Sequence, residues 1–120
     1  MNLKQYPEAI ETATLELSAI ARRLDTLRED RQQIEDQFTR QILRAYDAQG
    51  KALFSNESSR AIEIRARQIG SEGWCNLRDS IVALEEARAC VIARAERLRG
   101  EFSIAKIEAR AAVVAAEIAQ

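Results

Sequence analysis

The sequence has no histidine, and it has only one proline and four glycines among 120 residues. The missing histidine removes the commonest general base, the commonest metal ligand and the usual pH switch. Because the one proline is Pro7, almost nothing interrupts a helix in the rest of the chain. Aromatic residues make up 5%, which excludes a core built on large rings, so aliphatic side chains must supply the buried contacts.

Cysteine and long apolar runs are also scarce. Cys75 and Cys90 are the only thiols, and they form no C-x-x-C pair. With no secretion signal before them, we expect both to be reduced and partly buried in a cytoplasmic protein. No run of about 18 apolar residues occurs, which predicts no transmembrane segment and no membrane partner.

The motifs of known catalytic sites are absent as well. The sequence contains no H-E-x-x-H, P-loop, G-x-G-x-x-G, G-x-S-x-G or EF-hand pattern. Neighbouring carboxylates such as Glu85 and Glu86 are typical of a coiled-coil surface. We therefore predict no enzyme activity, no cofactor, no metal site and no small-molecule substrate.

What the chain does contain is a seven-residue apolar repeat over two long stretches. The first stretch predicts a helix over residues 6–48, with Pro7 in its first turn. Its two repeat lines are Ile10, Leu17, Leu24, Arg31, Phe38, Ala45 and Ala13, Ile20, Leu27, Ile34, Gln41, Ala48. The second stretch predicts a helix over 76–118, with the lines Leu77, Leu84, Val91, Leu98, Ala105, Ala112 and Ile81, Arg88, Ala95, Phe102, Ala109, Ala116. Within this second helix Gly100 indicates either a bend or a close approach of another backbone.

The residues between the two stretches predict a short helix. Gly50 is placed to end the first helix in a left-handed conformation, and Ser55 or Asn56 can cap the start of a helix over residues 56–69. Gly70 would end it, followed by a turn at 71–73. We expect an all-α fold, an elongated antiparallel coiled-coil hairpin of two long helices with a short middle helix, in one domain over residues 1–120.

The hairpin can be aligned by its two seam arginines, Arg31 and Arg88. Facing each other, they would place Leu17 beside Phe102, Leu24 beside Ala95, Phe38 beside Ile81 and Ala45 beside Trp74. We interpret the pair as a polar seam layer that fixes the register, with the guanidinium groups reaching Glu35, Glu85 or Glu86. The alternative is an arginine pair that grips a phosphate or an acidic partner.

Charge is concentrated in the middle of the chain. Residues 1–36 carry net −3, residues 37–70 carry net +3 and residues 71–120 carry net −1. Arg40 and Arg44, one turn apart on the first helix, are part of this basic middle together with Lys51, Arg60, Arg65 and Arg67. The structural reading is a solvated face, and the functional one is a surface for phosphate backbones with an aromatic platform. The possible interaction surface consists of Lys51, Phe54, Arg60, Arg65, Arg67 and Trp74.

Some aliphatic residues fall outside the two repeat lines. Ile42, Ile104, Ile107 and Val114 widen the apolar surface beyond what one hairpin can cover. A small two-stranded rod buries little apolar area. We therefore predict a homodimer or a helical protein partner.

A short string around the connection resembles a known group of proteins. Residues 50–60 read G-K-x-x-F-S-N-E-x-x-R, and residues 98–102 read L-R-x-E-F. This pattern resembles small uncharacterised helical proteins of phages, prophages and cyanobacterial mobile elements. The resemblance implies a setting among phage DNA-metabolism or defence genes and no particular activity. Residues 70–74 depart from it, since they are shorter and richer in glycine than the acidic segment expected there.

These observations predict a non-enzymatic helical adaptor or inhibitor that binds a protein through apolar edges. The alternative is a weak nucleic-acid-binding accessory factor that uses the basic middle. The second would bind in a salt-sensitive way and lose affinity when Arg60 and Arg67 are replaced.

Overall fold

The computed structural model describes residues 1–120 and consists of three α-helices. These are α1 (Gln5–Leu43), α2 (Glu57–Gly70) and α3 (Glu72–Ala119). The predicted all-α hairpin of two long helices with a short middle helix is confirmed. The chain divides into two compact units, Met1–Arg22 with Glu85–Gln120 and Arg23–Leu84, and both α1 and α3 contribute to each of them.

The first unit is held together by small and aliphatic side chains between α1 and α3. Ala13 and Ala95 are each 1% exposed and form a buried cluster with Val91. Nearer the start of α1, Tyr6 stacks on Phe102 with 5.5 Å between ring centroids. Two alanines at the contact allow the helix backbones to approach closely, and the ring pair closes the packed segment.

The second unit packs α1 against α2 and the first turns of α3. Its buried side chains are Leu24, Leu27, Ile42 and Ile81. The prediction that Ile42 belongs to an exposed apolar edge is wrong, since its side chain is 2% exposed. Helix α2 lies along this end of α1, where Arg67 Nη1 donates to Gln41 Oε1 at 3.0 Å.

The predicted register between α1 and α3 is wrong in both units. In the first unit Phe102 stacks on Tyr6 rather than lying beside Leu17. In the second unit Trp74 Nε1 donates to Glu35 Oε1 at 3.0 Å, whereas the prediction placed Trp74 beside Ala45. The observed partners on α1 therefore lie ten or eleven residues before the predicted ones.

The shift has two physical causes. Eleven residues make about three turns of helix, so the displaced helix presents nearly the same apolar face and the repeat cannot distinguish the two registers. The connection decides between the two registers. Because α2 packs beside the last turns of α1, α3 starts alongside an earlier part of α1.

The segment between α1 and α2 forms its own turn. Helix α1 ends at Leu43 and not at residue 48 as predicted. Tyr46 and Ala52 then form an isolated antiparallel bridge, and the Asp47 carboxylate accepts hydrogen bonds from the backbone N–H groups of Gln49 and Lys51, both at 2.9 Å. Gly50 has the predicted positive φ, 78°, but it serves this turn and does not cap the helix.

One residue, Ser71, separates α2 from α3. Asn56 caps the start of α2 as predicted, with its side chain accepting from the Ser59 N–H at 2.8 Å. The predicted glycine cap at Gly70 is wrong, because that residue is the last of the helix and Ser71 is the cap in an extended conformation. Glu72 and Gly73, which were predicted to lie in a turn, and Trp74, which was predicted to close it, already belong to α3.

The Ser71 junction satisfies the ends of both helices. Its N–H donates to the Gln68 carbonyl at 3.2 Å, while its Oγ accepts from the Trp74 N–H at 3.1 Å. The thiol of Cys75 donates to the carbonyls of Gln68 and Ile69, both at 3.5 Å. These bonds give partners to the Gln68 and Ile69 carbonyls of α2 and to the Trp74 N–H of α3, which helps a single residue to join the two helices.

Both cysteines are free. Cys75 is half-buried, as expected. The expectation that Cys90 is partly buried is wrong, because its side chain is exposed. Gly100 lies within α3, and no atom lies within 4 Å of the position a Cβ would take there. The predicted close approach of another backbone at Gly100 is therefore wrong.

Candidate functional site

A concave surface lies in the second unit, where α2 turns into α3. We call it the elbow groove. It has a volume of about 850 Å³. Its lining residues are Ala61, Ile62, Ile64, Arg65, Gln68, Ile69, Trp74 and Arg78.

The floor of the elbow groove is apolar and open to solvent. Ile62 is 72% exposed and Ile69 is 63% exposed, although both belong to the apolar stripe of α2. They lie seven residues apart, or two turns of helix, and so form a row along one face. Large aliphatic side chains in such a row on a concave surface are typical of a protein-binding site.

The charged residues that line the elbow groove are both basic. Arg65 and Arg78 are its only charged lining residues. Arg65 is exposed and makes no ion pair, whereas Arg78 Nε lies 3.0 Å from Asp79 Oδ1. The groove therefore combines an apolar floor with an available guanidinium group.

Trp74 links the elbow groove to α1. Its indole N–H donates to Glu35, and the same Glu35 oxygen lies 3.9 Å from Arg31 Nε. The guanidinium carbon of Arg78 lies 5.6 Å from the centre of the Trp74 ring, a distance typical of a cation–π contact. These contacts fix the ring, so this wall of the groove is already formed before anything binds.

Two of the predicted basic residues have structural partners. Arg60 Nη1 donates to the Phe54 carbonyl at 3.3 Å and so ties the connecting segment to α2. Arg67 donates from Nε to Glu63 and from Nη1 to Gln41, both at 3.0 Å. Neither residue lines the elbow groove, and their charges are directed to contacts within the protein.

The other four residues of the predicted interaction surface do not all lie in the same place. Arg65 and Trp74 line the groove together, as one surface. Lys51 is exposed, and its backbone N–H is bonded to the Asp47 carboxylate in the preceding turn. Phe54 is half-buried and is absent from the groove lining. Two of the six residues predicted from the sequence therefore lie together at the groove.

The predicted polar seam layer does not form. Arg31 pairs with Glu35 as expected and belongs to the second unit, whereas Arg88 belongs to the first. Arg88 is also exposed, which is inconsistent with a seam position. The shifted register explains this, because the two arginines do not occupy facing turns.

Sequence reasoning missed Arg78. It follows Trp74 by four residues, so on a helix it lies over the same face. That spacing was visible in the sequence, but the stretch before it was interpreted as a turn. The exposure of Ile62 and Ile69 also could not be foreseen, since an apolar stripe is normally buried.

Two general features bear on the chemistry of the molecule. No group of three or more histidine, cysteine, aspartate or glutamate side chains comes together in a way that could hold a metal ion. None of the helices combines the length and the apolar composition of a membrane span.

Comparison with known proteins gives no match, whether with protein-family models, with curated proteins or with solved structures. The resemblance to phage and mobile-element proteins stays a prediction, as does the cytoplasmic location.

Proposed function

We propose that the protein is a non-enzymatic helical binding protein whose elbow groove receives an amphipathic helix with an acidic edge from a protein partner. The observation that carries this proposal is the exposed row of Ile62 and Ile69 in a groove that Arg65 and Arg78 also line. Apolar anchors spaced by whole turns are what a helix in a groove requires of its receptor.

The dimensions of the groove suit such an occupant. Helix α2 has 14 residues, which corresponds to about 21 Å of helix. A partner helix of three to four turns can therefore lie along it and cover both isoleucines. Trp74 and the two arginines supply residue types that are enriched at the centres of protein interfaces.

The charge of the groove lining favours an acidic partner. The lining contains two arginines and no acidic side chain, and Arg65 has its guanidinium group available. An acidic side chain on the partner helix would form a charge-assisted hydrogen bond with it. A basic helix of the same shape would meet like charges and bind more weakly.

The alternative function, binding of nucleic acid, has less support. Arg60 and Arg67, which were expected to contact phosphates, are engaged by Phe54, Glu63 and Gln41. Trp74 has one edge bonded to Glu35, which limits the ring as a stacking platform. This function is the competing outcome of the experiment below.

The single tryptophan allows a direct test. Trp74 fluorescence would be followed while three probes are added in turn. These are a synthetic leucine–glutamate amphipathic peptide, its leucine–lysine counterpart of equal length, and a single-stranded oligonucleotide. We expect saturable binding of the acidic peptide and at least tenfold weaker binding of the basic one. Salt-sensitive binding of the oligonucleotide with no response to the acidic peptide would contradict the proposal and support the alternative.

Matched variants locate the effect. Ile62→Ser with Ile69→Ser is expected to abolish peptide binding while the helix content, measured by circular dichroism, is unchanged. The control is Ile104→Ser, which alters another exposed isoleucine in the other unit. Arg65→Ala is expected to reduce affinity for the acidic peptide alone. Equal losses in the control would argue against a groove-specific site.

A further inference from the structure

The last part of α3 has no partner within the chain. Every residue from 106 to 120 is exposed, although the helix continues to Ala119. We call residues 106–119 the α3 tail. It lies in the first unit, beyond the Tyr6–Phe102 stack. A helix of this length is marginal by itself in water, so covering its apolar face would stabilise it.

Three of the four large aliphatic side chains of the α3 tail lie in one continuous strip. Ile107, Ala111, Val114 and Ile118 follow one another at spacings of four, three and four residues, and they line one shallow groove together. Ile118 is 81% exposed. The spacing is that of a coiled-coil seam.

This strip lies opposite the face of α3 that packs on α1. The α1-facing repeat ends in small residues, at Ala105 just before the tail and at Ala109, Ala112 and Ala116 within it. The strip is displaced from them by two residues, which is about 200° around the helix. Its occupant must therefore approach α3 from the side away from α1.

We propose that the occupant of the strip is the same strip of a second copy, running antiparallel. In this arrangement Ile107 lies against Ile118 of the second copy, and Ala111 lies against Val114. The small Ala111 thus faces a larger side chain, and the contact repeats by two-fold symmetry, as an isologous dimer requires.

The charges along the edge of the strip select this occupant and this direction. Arg110 and Glu117 are seven residues apart and lie along the same edge. Neither has an ion-pair partner within its own chain. In an antiparallel pair like edges meet, so Arg110 of each copy faces Glu117 of the other and two ion pairs form. In a parallel pair Arg110 would face Ala115, and neither ion pair would form.

The first experiment measures self-association. Sedimentation equilibrium of the full chain over a concentration series is expected to show a mass rising from monomer to dimer. Val114→Glu is expected to keep the protein monomeric, because it buries an unpaired charge in the strip. Val113→Glu is the control, since Val113 is also exposed but lies outside the strip. A monomeric wild type, or equal effects of the two variants, would overturn the proposal.

The second experiment tests the direction by charge reversal. Arg110→Glu and Glu117→Arg, each alone, are expected to weaken self-association by about tenfold or more, because two attractions become two repulsions. Mixing the two variants is expected to restore binding as a heterodimer, since both carboxylates of the first variant then face guanidinium groups of the second. Failure of the mixture to associate would rule out the antiparallel pairing. The proposal does not involve the elbow groove, so the two can fail separately.

Discussion

Two segments of α3 carry the same seven-residue repeat with opposite results. From Glu85 to Phe102 the repeat places Val91, Ala95 and Leu98 in buried positions against α1. From residue 106 onward the same face carries alanines, three of the four large aliphatic side chains lie on the opposite face, and nothing in the chain covers either face.

The comparison shows that the burial of an aliphatic side chain depends on whether another helix lies alongside it as well as on the seven-residue repeat. The packed segment has α1 as its partner, so its aliphatic side chains leave water and stabilise the fold. The α3 tail has equally apolar residues that remain exposed. Substitutions at matched positions should therefore have unequal effects, and the following predictions are ordered from the largest to the smallest.

Leu98→Ala is expected to lower the free energy of unfolding by about 2–4 kcal/mol, because it leaves a cavity beside α1. Leu98 is 7% exposed. Urea denaturation of the dilute protein would measure the loss. The matched change in the tail, Ile107→Ala, is expected to alter stability by less than about 0.5 kcal/mol under the same conditions. Similar losses at both positions would mean that the tail is packed within the monomer.

Replacing a small residue with a larger one should again change stability differently in the two segments of α3. Ala95→Leu is expected to cost about 1–3 kcal/mol, since the side chain at the Ala13 contact has no room to grow. Ala109 occupies the same repeat position two heptads later and is exposed. Ala109→Leu is therefore expected to be nearly neutral in thermal denaturation. A destabilised Ala109→Leu variant would contradict the claim that this face of the tail is open.

Gly100 lies near the boundary between the two segments of α3, and its replacement has the smallest expected effect on stability. Gly100→Ala should stabilise the protein by about 1 kcal/mol or less, because alanine favours the helix and its Cβ meets no atom within 4 Å. Gly50→Ala is the control with the opposite sign, since the φ of 78° at Gly50 disfavours a side chain. A loss of stability in Gly100→Ala, measured by the midpoint of urea unfolding, would mean that the interior of α3 needs the glycine.

The sequence predicted the local features of the fold well. The Asn56 cap and the positive φ of Gly50 follow from side-chain chemistry within a few residues. The register was not predictable, because a shift of eleven residues preserves the apolar face. The near-continuity of α2 and α3 was also missed, since Gly70 and Gly73 are ordinarily helix breakers and here both lie in helices.

The sequence predicted an interaction surface in the middle of the chain, but only two of its six residues, Arg65 and Trp74, line the groove. Glu63 and Arg67 are four residues apart, so their pairing was foreseeable from spacing, whereas the bond from Arg67 to Gln41 joins residues 26 positions apart. Such a bond depends on how α2 lies on α1, which the sequence pattern does not specify. Arg65 and Arg78 came together in the groove for the same reason.

The one-residue junction at Ser71 sets the angular phase between α2 and α3. Each residue of an α-helix advances the side chains by about 100°, so the row formed by Ile62 and Ile69 faces Trp74 at only one junction length. One additional helical residue between Ile69 and Ser71, or between Ser71 and Trp74, would turn that row by about 100° relative to Trp74. Both helices could remain intact while the elbow groove lost its floor. A variant of this kind would therefore separate the integrity of the helices from the integrity of the groove.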